Sequence, residues 1–154
     1  MFTYEYEMAS ISVDCCIFRL NKDGILEVLL IERGGEPYKG SWATVGGFVE
    51  RNESTHDAAI RELKEEANLD VPKLTFIGIA DEPHRDPRQR TLSCIYACVI
   101  TEKLSEQVKA GDDAVNFKWI RVQYIYDETI DLAFDHKDII MRAAREFGRL
   151  NRVE

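Results

Sequence analysis

Basic side chains are in the minority in this chain. Its 154 residues carry 20 Lys and Arg against 28 Asp and Glu, a formal net charge of −8 at pH 7. A surface of that sign excludes general binding to nucleic acid, which depends on neutralising phosphates with clustered cations. It does not exclude a small phosphorylated ligand, which a few local arginines and a bound cation can hold. Long apolar runs are missing too. No segment approaches the roughly 20 residues that a membrane-spanning helix needs, so no membrane partner is expected. The N-terminal MFTYEYEMAS has no basic stretch leading into an apolar one, so no secretion signal is expected and the compartment expected is the cytoplasm. Cysteine is sparse: Cys15 and Cys16 are adjacent, Cys94 and Cys98 stand apart, and no pair has C-x-x-C spacing. All four lie in apolar, strand-like runs, where neighbours point to opposite faces. Buried free thiols are expected, rather than disulfides or a metal site. Repeats and low-complexity stretches are absent, and the length suits one domain over residues 1–154 with a single substantial core.

What the chain does have is concentrated in residues 47–69. Gly47 is followed by five residues and Glu53, then by seven residues and the run Arg61-Glu62-Leu63-Lys64-Glu65-Glu66-Ala67-Asn68-Leu69. On a helix advancing about 100° per residue, Glu62, Glu65 and Glu66 fall at i, i+3 and i+4 and share one face. Like charges at that spacing cost a few tenths of a kcal/mol per pair. A helix needing only solubility would interleave lysines. The crowding makes sense if a hard divalent cation, Mg²⁺ or Mn²⁺, is held between the carboxylates, because such ions prefer oxygen ligands. The alternative is an ordinary solvated acidic helix.

The segment resembles the Nudix box, the signature of hydrolases that cut nucleoside diphosphates linked to another moiety. Every fixed position of the pattern matches except its second glycine, which is Asn68 here. That departure is mild, since asparagine is the usual substitute for glycine in the left-handed position past a helix end. The approach through residues 42–50 is also similar, with Val45 where members often carry proline. The resemblance implies that Glu62, Glu65, Glu66 and the Gly47 carbonyl hold the metal. It makes Glu62 and Glu66 candidates for activating water, and makes Arg61 and Glu53 a supporting ion pair that orients the helix. Some members take a base from a glutamate outside the box. The acidic stretch at residues 101–113 offers Glu102, Glu106, Asp112 and Asp113, of which Glu106 is favoured, or is simply a solvated loop.

A coarse pass gives alternating elements. Residues 10–20 and 25–32 read as strands joined by the turn chemistry of Asn21 to Gly24. Residues 42–49 are extended, and Asn52 or Ser54 can cap the helix that follows. Ala59, Ile60, Leu63 and Ala67 give that helix an apolar stripe beside its acidic one. Strands are expected at 74–81, 91–101 and 115–121, and an amphipathic helix at about 135–150. Strand-rich sequence with two embedded helices implies an α+β fold, an α/β/α sandwich with a mixed central sheet, as the Nudix resemblance also implies.

Residues 81–93 put Arg85, Arg88, Arg90 and His84 between two strands of an otherwise acidic protein. Guanidinium forks suit phosphate. The run is similar to a segment of ADP-ribose pyrophosphatases and related ADP-ribose-sensing Nudix domains, with Gln89 in place of glycine, as is the later Leu132 to His136. Arg33, Arg85, Arg88 and Arg90 are therefore the candidate substrate-binding residues. The bland reading is a turn at Asp86-Pro87 with solvated hairpin charges, and a packing or capping role for His136. Tyr4, Phe18, Trp42 or Trp119 could stack on a base. The leading expectation is metal-dependent hydrolysis of ADP-ribose or a similar nucleotide sugar. Alternatives are a Nudix hydrolase of another nucleotide, such as a nucleoside triphosphate or diadenosine polyphosphate, and a non-catalytic ADP-ribose sensor. The sensor is disfavoured because such regulators need a DNA-reading domain beyond the Nudix part. The aromatic segment at residues 2–6, with the family resemblance, makes a homodimer an expected partner arrangement.

Overall fold

Two apolar cores run along opposite faces of one sheet, and its first strand alternates between them. The computed structural model of the protein describes residues 1–111 and 114–150, the last three of these by backbone alone. Strand β1 (Ser10–Leu20) sends Val13, Cys15 and Ile17 into one core and Cys16 and Phe18 into the other. This is the period-2 alternation that a doubly covered strand must satisfy. The hairpin expected at residues 21–24 leads into β2 (Leu26–Arg33), with Asn21 Oδ1 accepting the Asp23 and Ile25 amides at 2.9 and 3.0 Å. The extended stretch divides at Thr44 into β3 (Trp42–Ala43) and β4 (Val45–Phe48). Helix α1 (Thr55–Ala67) follows, capped by Ser54, whose hydroxyl accepts the Asp57 amide at 3.0 Å. Asn68 ends it in the left-handed conformation at φ 53°, as its place past the helix predicts.

Strands β5 (Thr75–Ala80), β6 (Thr91–Val99) and β7 (Ala114–Arg121) and the terminal helix α4 (His136–Leu150) stand close to the expected bounds. Two short helices were not expected, α2 (Glu102–Ser105) and α3 (Val122–Tyr126). At four and five residues they are too short to show the 3.6-residue periodicity from which helices are read. The sheet runs β3-β2-β1-β6-β5, with β4 also paired to β1 and β7 to β2. Among the described strands only the β1–β6 pairing is parallel, which makes the sheet mixed. Helix α1 covers one face through Ala58, Ala59, Leu63 and Ala67. Ile139, Ile140 and Ala143 of α4, with Val122 and Ile125 of α3, cover the other. The α/β/α sandwich is therefore as expected. The four cysteines are free thiols, and burial pushes Cys15 and Cys16 well above the usual thiol range and Cys98 up to about 12. Among the described residues no helix is long and apolar enough to cross a membrane.

Strand β4 is pressed against β1, with Gly46 opposite Asp14 and Gly47 opposite Val13. A methyl group on Gly46 would lie 2.1 Å from the Val13 carbonyl oxygen. That neighbour is backbone in the centre of the sheet and cannot rotate away. Gly46→Ala is accordingly expected to cost about 2 kcal/mol or more of folding stability. Urea unfolding checks this, and an unchanged midpoint would contradict the close approach.

Candidate active site

The acidic face of α1 is held by one guanidinium. Arg61 donates from Nε to Glu53 Oε2 at 3.0 Å and from Nη2 to Glu53 Oε1 at 2.7 Å. Its Nη1 reaches Glu62 Oε1 at 2.8 Å and Glu65 Oε2 at 3.0 Å, and Nη2 also reaches the Phe48 carbonyl at 3.1 Å. Arginine has five N–H groups, so its donor capacity is fully used. The bond to Glu53 comes first in holding Arg61 more firmly protonated than usual, and that same bond keeps Glu53 below the ordinary carboxylate range. Glu62 goes the other way. Burial pushes its carboxyl up, and its share of an arginine divided among three carboxylates does not offset that.

Two of the three clustered glutamates meet the glycine pair of β4. Glu66 Oε2 accepts the Gly46 amide at 3.1 Å. The Glu62 carboxylate lies so close to Gly47 that a Cβ there would sit 2.1 Å from Oε1. Gly47 is thus a cradle for Glu62, which explains a glycine at that end of the motif. The three glutamates lie on one side of α1 without meeting at a point. Among the described residues no group of three His, Cys, Asp or Glu is gathered so as to hold a metal ion. The helical spacing puts the carboxylates on one side, but Glu62 tucks under Gly47 while Glu65 turns outward to Arg61. The donor chemistry still fits a hard divalent cation. Glu62 and Glu66 bring carboxylate oxygens to two adjacent glycines.

Beside these two glycines lies a cleft lined by Arg33, Gly46, Gly47, Phe48, Glu66, Arg85, Asp86, Arg88, Phe134 and His136 among others. Arg33, Phe48, Glu66 and Arg88 also line an adjoining space. Of the box glutamates only Glu66 faces the cleft. Arg61 and Glu53, named with the catalytic candidates, do not line it; they brace α1 against the 48–53 loop from behind. The arginines divide in the same way. Arg33 and Arg88 line both spaces, and Arg33 is held below its usual value first by burial and then by the like charge of Arg88. Among the described residues Arg33 has no carboxylate in ion-pair range; its Nε donates to the Pro37 carbonyl at 2.8 Å. Arg88 is paired with Asp86 at 2.8 Å.

The other two arginines depart from expectation. Arg85 is buried, and its fork is spent on Asp135 through bonds of 2.9 and 2.8 Å, with Asp14 at 3.6 Å. Arg90 is exposed and donates to the Asp81 carbonyl, away from the cleft. Sequence shows charge and spacing, but not which guanidinium already has an internal partner. Glu106 is also not brought in. It caps α2, exposed, in a segment whose Gln107 carbonyl and Lys109 amide bond to the C-terminal end of α1. Glu102 stands at the first turn of that same short helix, and Asp112 and Asp113 lie outside the described residues.

A buried polar knot that the sequence did not signal ties the cleft wall together. Asp14 on β1 accepts from Thr44 Oγ1 at 2.7 Å and from Ser93 Oγ, and His136 Nε2 lies 3.1 Å away. Burial alone would raise Asp14, but His136, Ser93 and Thr44 outweigh it and hold the carboxyl below its usual value. The Thr44 amide donates to His136 Nδ1 at 3.1 Å, which leaves Nε2 to carry the ring proton toward Asp14. His136 thus packs and braces, the bland role set out for it. None of the aromatic residues proposed for stacking reaches the cleft. Phe18 is in the core, Trp42 lies under Lys118, Trp119 lies under Arg19, and Tyr4 is exposed on the N-terminal segment. Phe48 and Phe134 line it instead.

With this geometry in view, comparison with known proteins is decisive at the level of family. The NUDIX domain family matches residues 8–143. The chain belongs to the NUDIX family. It is 39% identical over 123 residues to the ADP-ribose pyrophosphatase of Methanocaldococcus jannaschii, an alignment covering 77% of this chain and 68% of that protein. It is 32% identical over 150 residues to the ADPR-responsive transcriptional repressor NtrR of Acinetobacter baylyi, covering 96% of this chain but 56% of the repressor. A crystal structure of a MutT/nudix family protein from Enterococcus faecalis superposes with a TM-score of 0.83 at 34% identity, over 98% of this chain and 65% of that one. The chain thus spans little more than half of the repressor and about two thirds of the other two. Family and pyrophosphatase relative together mark the domain as a Nudix pyrophosphohydrolase.

The raised carboxyl of Glu62 has a consequence for stability. Such a group contributes stability that is full below its ordinary value of 4.5 and is lost as pH rises through the folded value. Glutamine removes that loss. Glu62→Gln should therefore melt higher than the parent near pH 7, with the gap closing below about pH 4. Thermal unfolding across that range checks it. A variant less stable at neutral pH would mean that the bond to Arg61 outweighs burial.

Proposed function

We propose that this Nudix domain hydrolyses the pyrophosphate bond of a nucleoside diphosphate linked to another group, with ADP-ribose as the leading substrate and AMP and ribose 5-phosphate as products. The observation that supports the reading is that Arg33 and Arg88 line the same cleft as Glu66, Gly46 and Gly47. Among the described residues only Nε of Arg33 donates, to the Pro37 carbonyl, and the like charge of Arg88 that lowers Arg33 is offset once an anion lies between them. They suit the phosphates of a diphosphate. Glu62, Glu65, Glu66 and the Gly47 carbonyl are the groups that would hold Mg²⁺ or Mn²⁺, which supplies neutralisation of the pyrophosphate charge. In the hydrolysis a water oxygen bonds to one phosphorus, the bridging P–O bond breaks, and the leaving phosphate takes the electron pair. Glu66, which faces the cleft, is the carboxylate in position to accept the proton that water gives up. ADP-ribose is favoured among diphosphates by the name of the 39% identical relative.

A second reading, an ADP-ribose sensor without turnover, draws support from the repressor that matches 96% of this chain. One experiment separates the readings. Product release is measured with Mg²⁺ and with EDTA across ADP-ribose, NADH, diadenosine polyphosphates and nucleoside triphosphates. The expected result is metal-dependent cleavage strongest on ADP-ribose, lowered about 10²-fold or more in Glu66→Gln. Cleavage strongest on another compound would replace the substrate. ADP-ribose bound but not cut would favour the sensor.

A further inference from the structure

Phe134 and Tyr38 are two of the four non-glycine residues with positive φ among the described residues, at 50° and 61°. A bulky aromatic side chain in that region is an outlier, because its Cβ crowds the backbone; glycine or asparagine is the ordinary occupant. Here the two outliers touch, with ring centroids 4.7 Å apart. Such conformations persist only where the surroundings over-determine them, and they gather at ligand clamps.

The surroundings of Phe134 do over-determine it. On one side the Ala133 amide donates to the Trp42 carbonyl at 2.8 Å, and Leu132 bridges to Trp42. On the other, Asp135 is gripped by both arms of the Arg85 fork, and His136 is fixed between the Thr44 amide and Asp14. The buried knot therefore has an effect at the cleft: it leaves Phe134 no relaxed conformation and holds its ring at the wall. Filling a core would not need this, since a side chain with ordinary φ could do the same.

The ring stands among flat cationic surfaces. The Arg33 guanidinium is 5.0 Å from its centroid and the Arg88 guanidinium 5.6 Å, and Arg88 is also 5.2 Å from Phe48. Aromatic rings and guanidinium planes are the two side-chain surfaces on which nucleobases stack, with little dependence on which base is present. We propose that Phe134, held against Tyr38 by residues 132–136, is the base-recognition surface of the cleft. It takes the flat heteroaromatic ring of the nucleotide in place of the Arg33 and Arg88 guanidiniums that lie over it, which turn to the phosphates. Arg85, Asp135 and His136 are positioning residues for that ring. The inference rests on the nucleotide reading of the cleft and assigns within it the residue that distinguishes a base from the rest of the ligand.

The test is binding without turnover, by calorimetry, of two probes: AMP, which has a base, and ribose 5-phosphate, which has none. Phe134→Leu removes the ring and keeps most of the bulk. It is expected to weaken AMP about tenfold or more and to leave ribose 5-phosphate unchanged. Phe134→Trp keeps a flat ring and is expected to retain AMP, which guards against a fold defect at this strained position. AMP affinity unchanged in Phe134→Leu would overturn the inference and leave the nucleotide site standing. So would an equal loss of both probes, or a loss in Phe134→Trp matching that in Phe134→Leu. A parent protein with no affinity for either probe would overturn the nucleotide reading itself, and this inference with it.

Discussion

Everything in this site depends on what balances the negative charge along one face of α1. Glu62 and Glu65, with Glu50 and Glu53 on the preceding loop, put four carboxylates around a single arginine. Arg61 answers with all five of its N–H groups, reaching Glu53 twice, Glu62 and Glu65 once each, and the Phe48 carbonyl. A lysine could not substitute, since its three donors lack the planar fork that braces helix and loop together. The spacing of Glu53, Arg61, Glu62 and Glu65 is thus one electrostatic unit. It explains why the arginine sits beside the cleft without entering it.

From that unit the placement of the cleft follows. Bracing α1 sets Glu62 against Gly47 and Glu66 on the Gly46 amide, and β4 is in turn pressed onto β1 with no room for a side chain at Gly46. Gly46, Gly47 and Glu66 line the cleft. Its wall comes from sequence-distant segments, Arg33 at the end of β2, Asp86 and Arg88 in the loop before β6, and Phe134 before α4. Asp14, His136, Arg85 and Asp135 tie those segments to β1. Carboxylates and guanidiniums thereby line one cleft, the combination that a charged diphosphate and its counter-ion require.

Much of this was legible in the sequence, and the rest was not for identifiable reasons. Alternation in residues 10–20 and the apolar stripe of Ala59, Leu63 and Ala67 report burial directly, so strands and α1 could be read. Asn68 could be read because a left-handed cap has few occupants. The motif spacing put Glu62, Glu65 and Glu66 on one face, yet it could not show that Glu65 turns to Arg61 while Glu62 is buried under Gly47. Arg85 and Arg88 look alike in a basic loop. Only the fold shows that Asp135, fifty positions later, occupies the first, while the second stays at the cleft. Sequence does not single out Phe134 beside Tyr4, Phe18, Trp42 and Trp119, because its position rests on strained backbone and long-range bonds, neither of which leaves a periodic signal. Helices α2 and α3 are one turn each and leave none either.

The account stands or falls on whether the carboxylates at the Gly46–Gly47 turn hold a divalent cation. The direct measurement is titration of the protein with Mn²⁺ followed by electron paramagnetic resonance of the free ion, comparing the parent with Glu62→Gln and Glu66→Gln. The prediction is saturable Mn²⁺ binding by the parent, weakened about tenfold or more in each variant. Undiminished binding in both variants, or no binding by the parent, would contradict it.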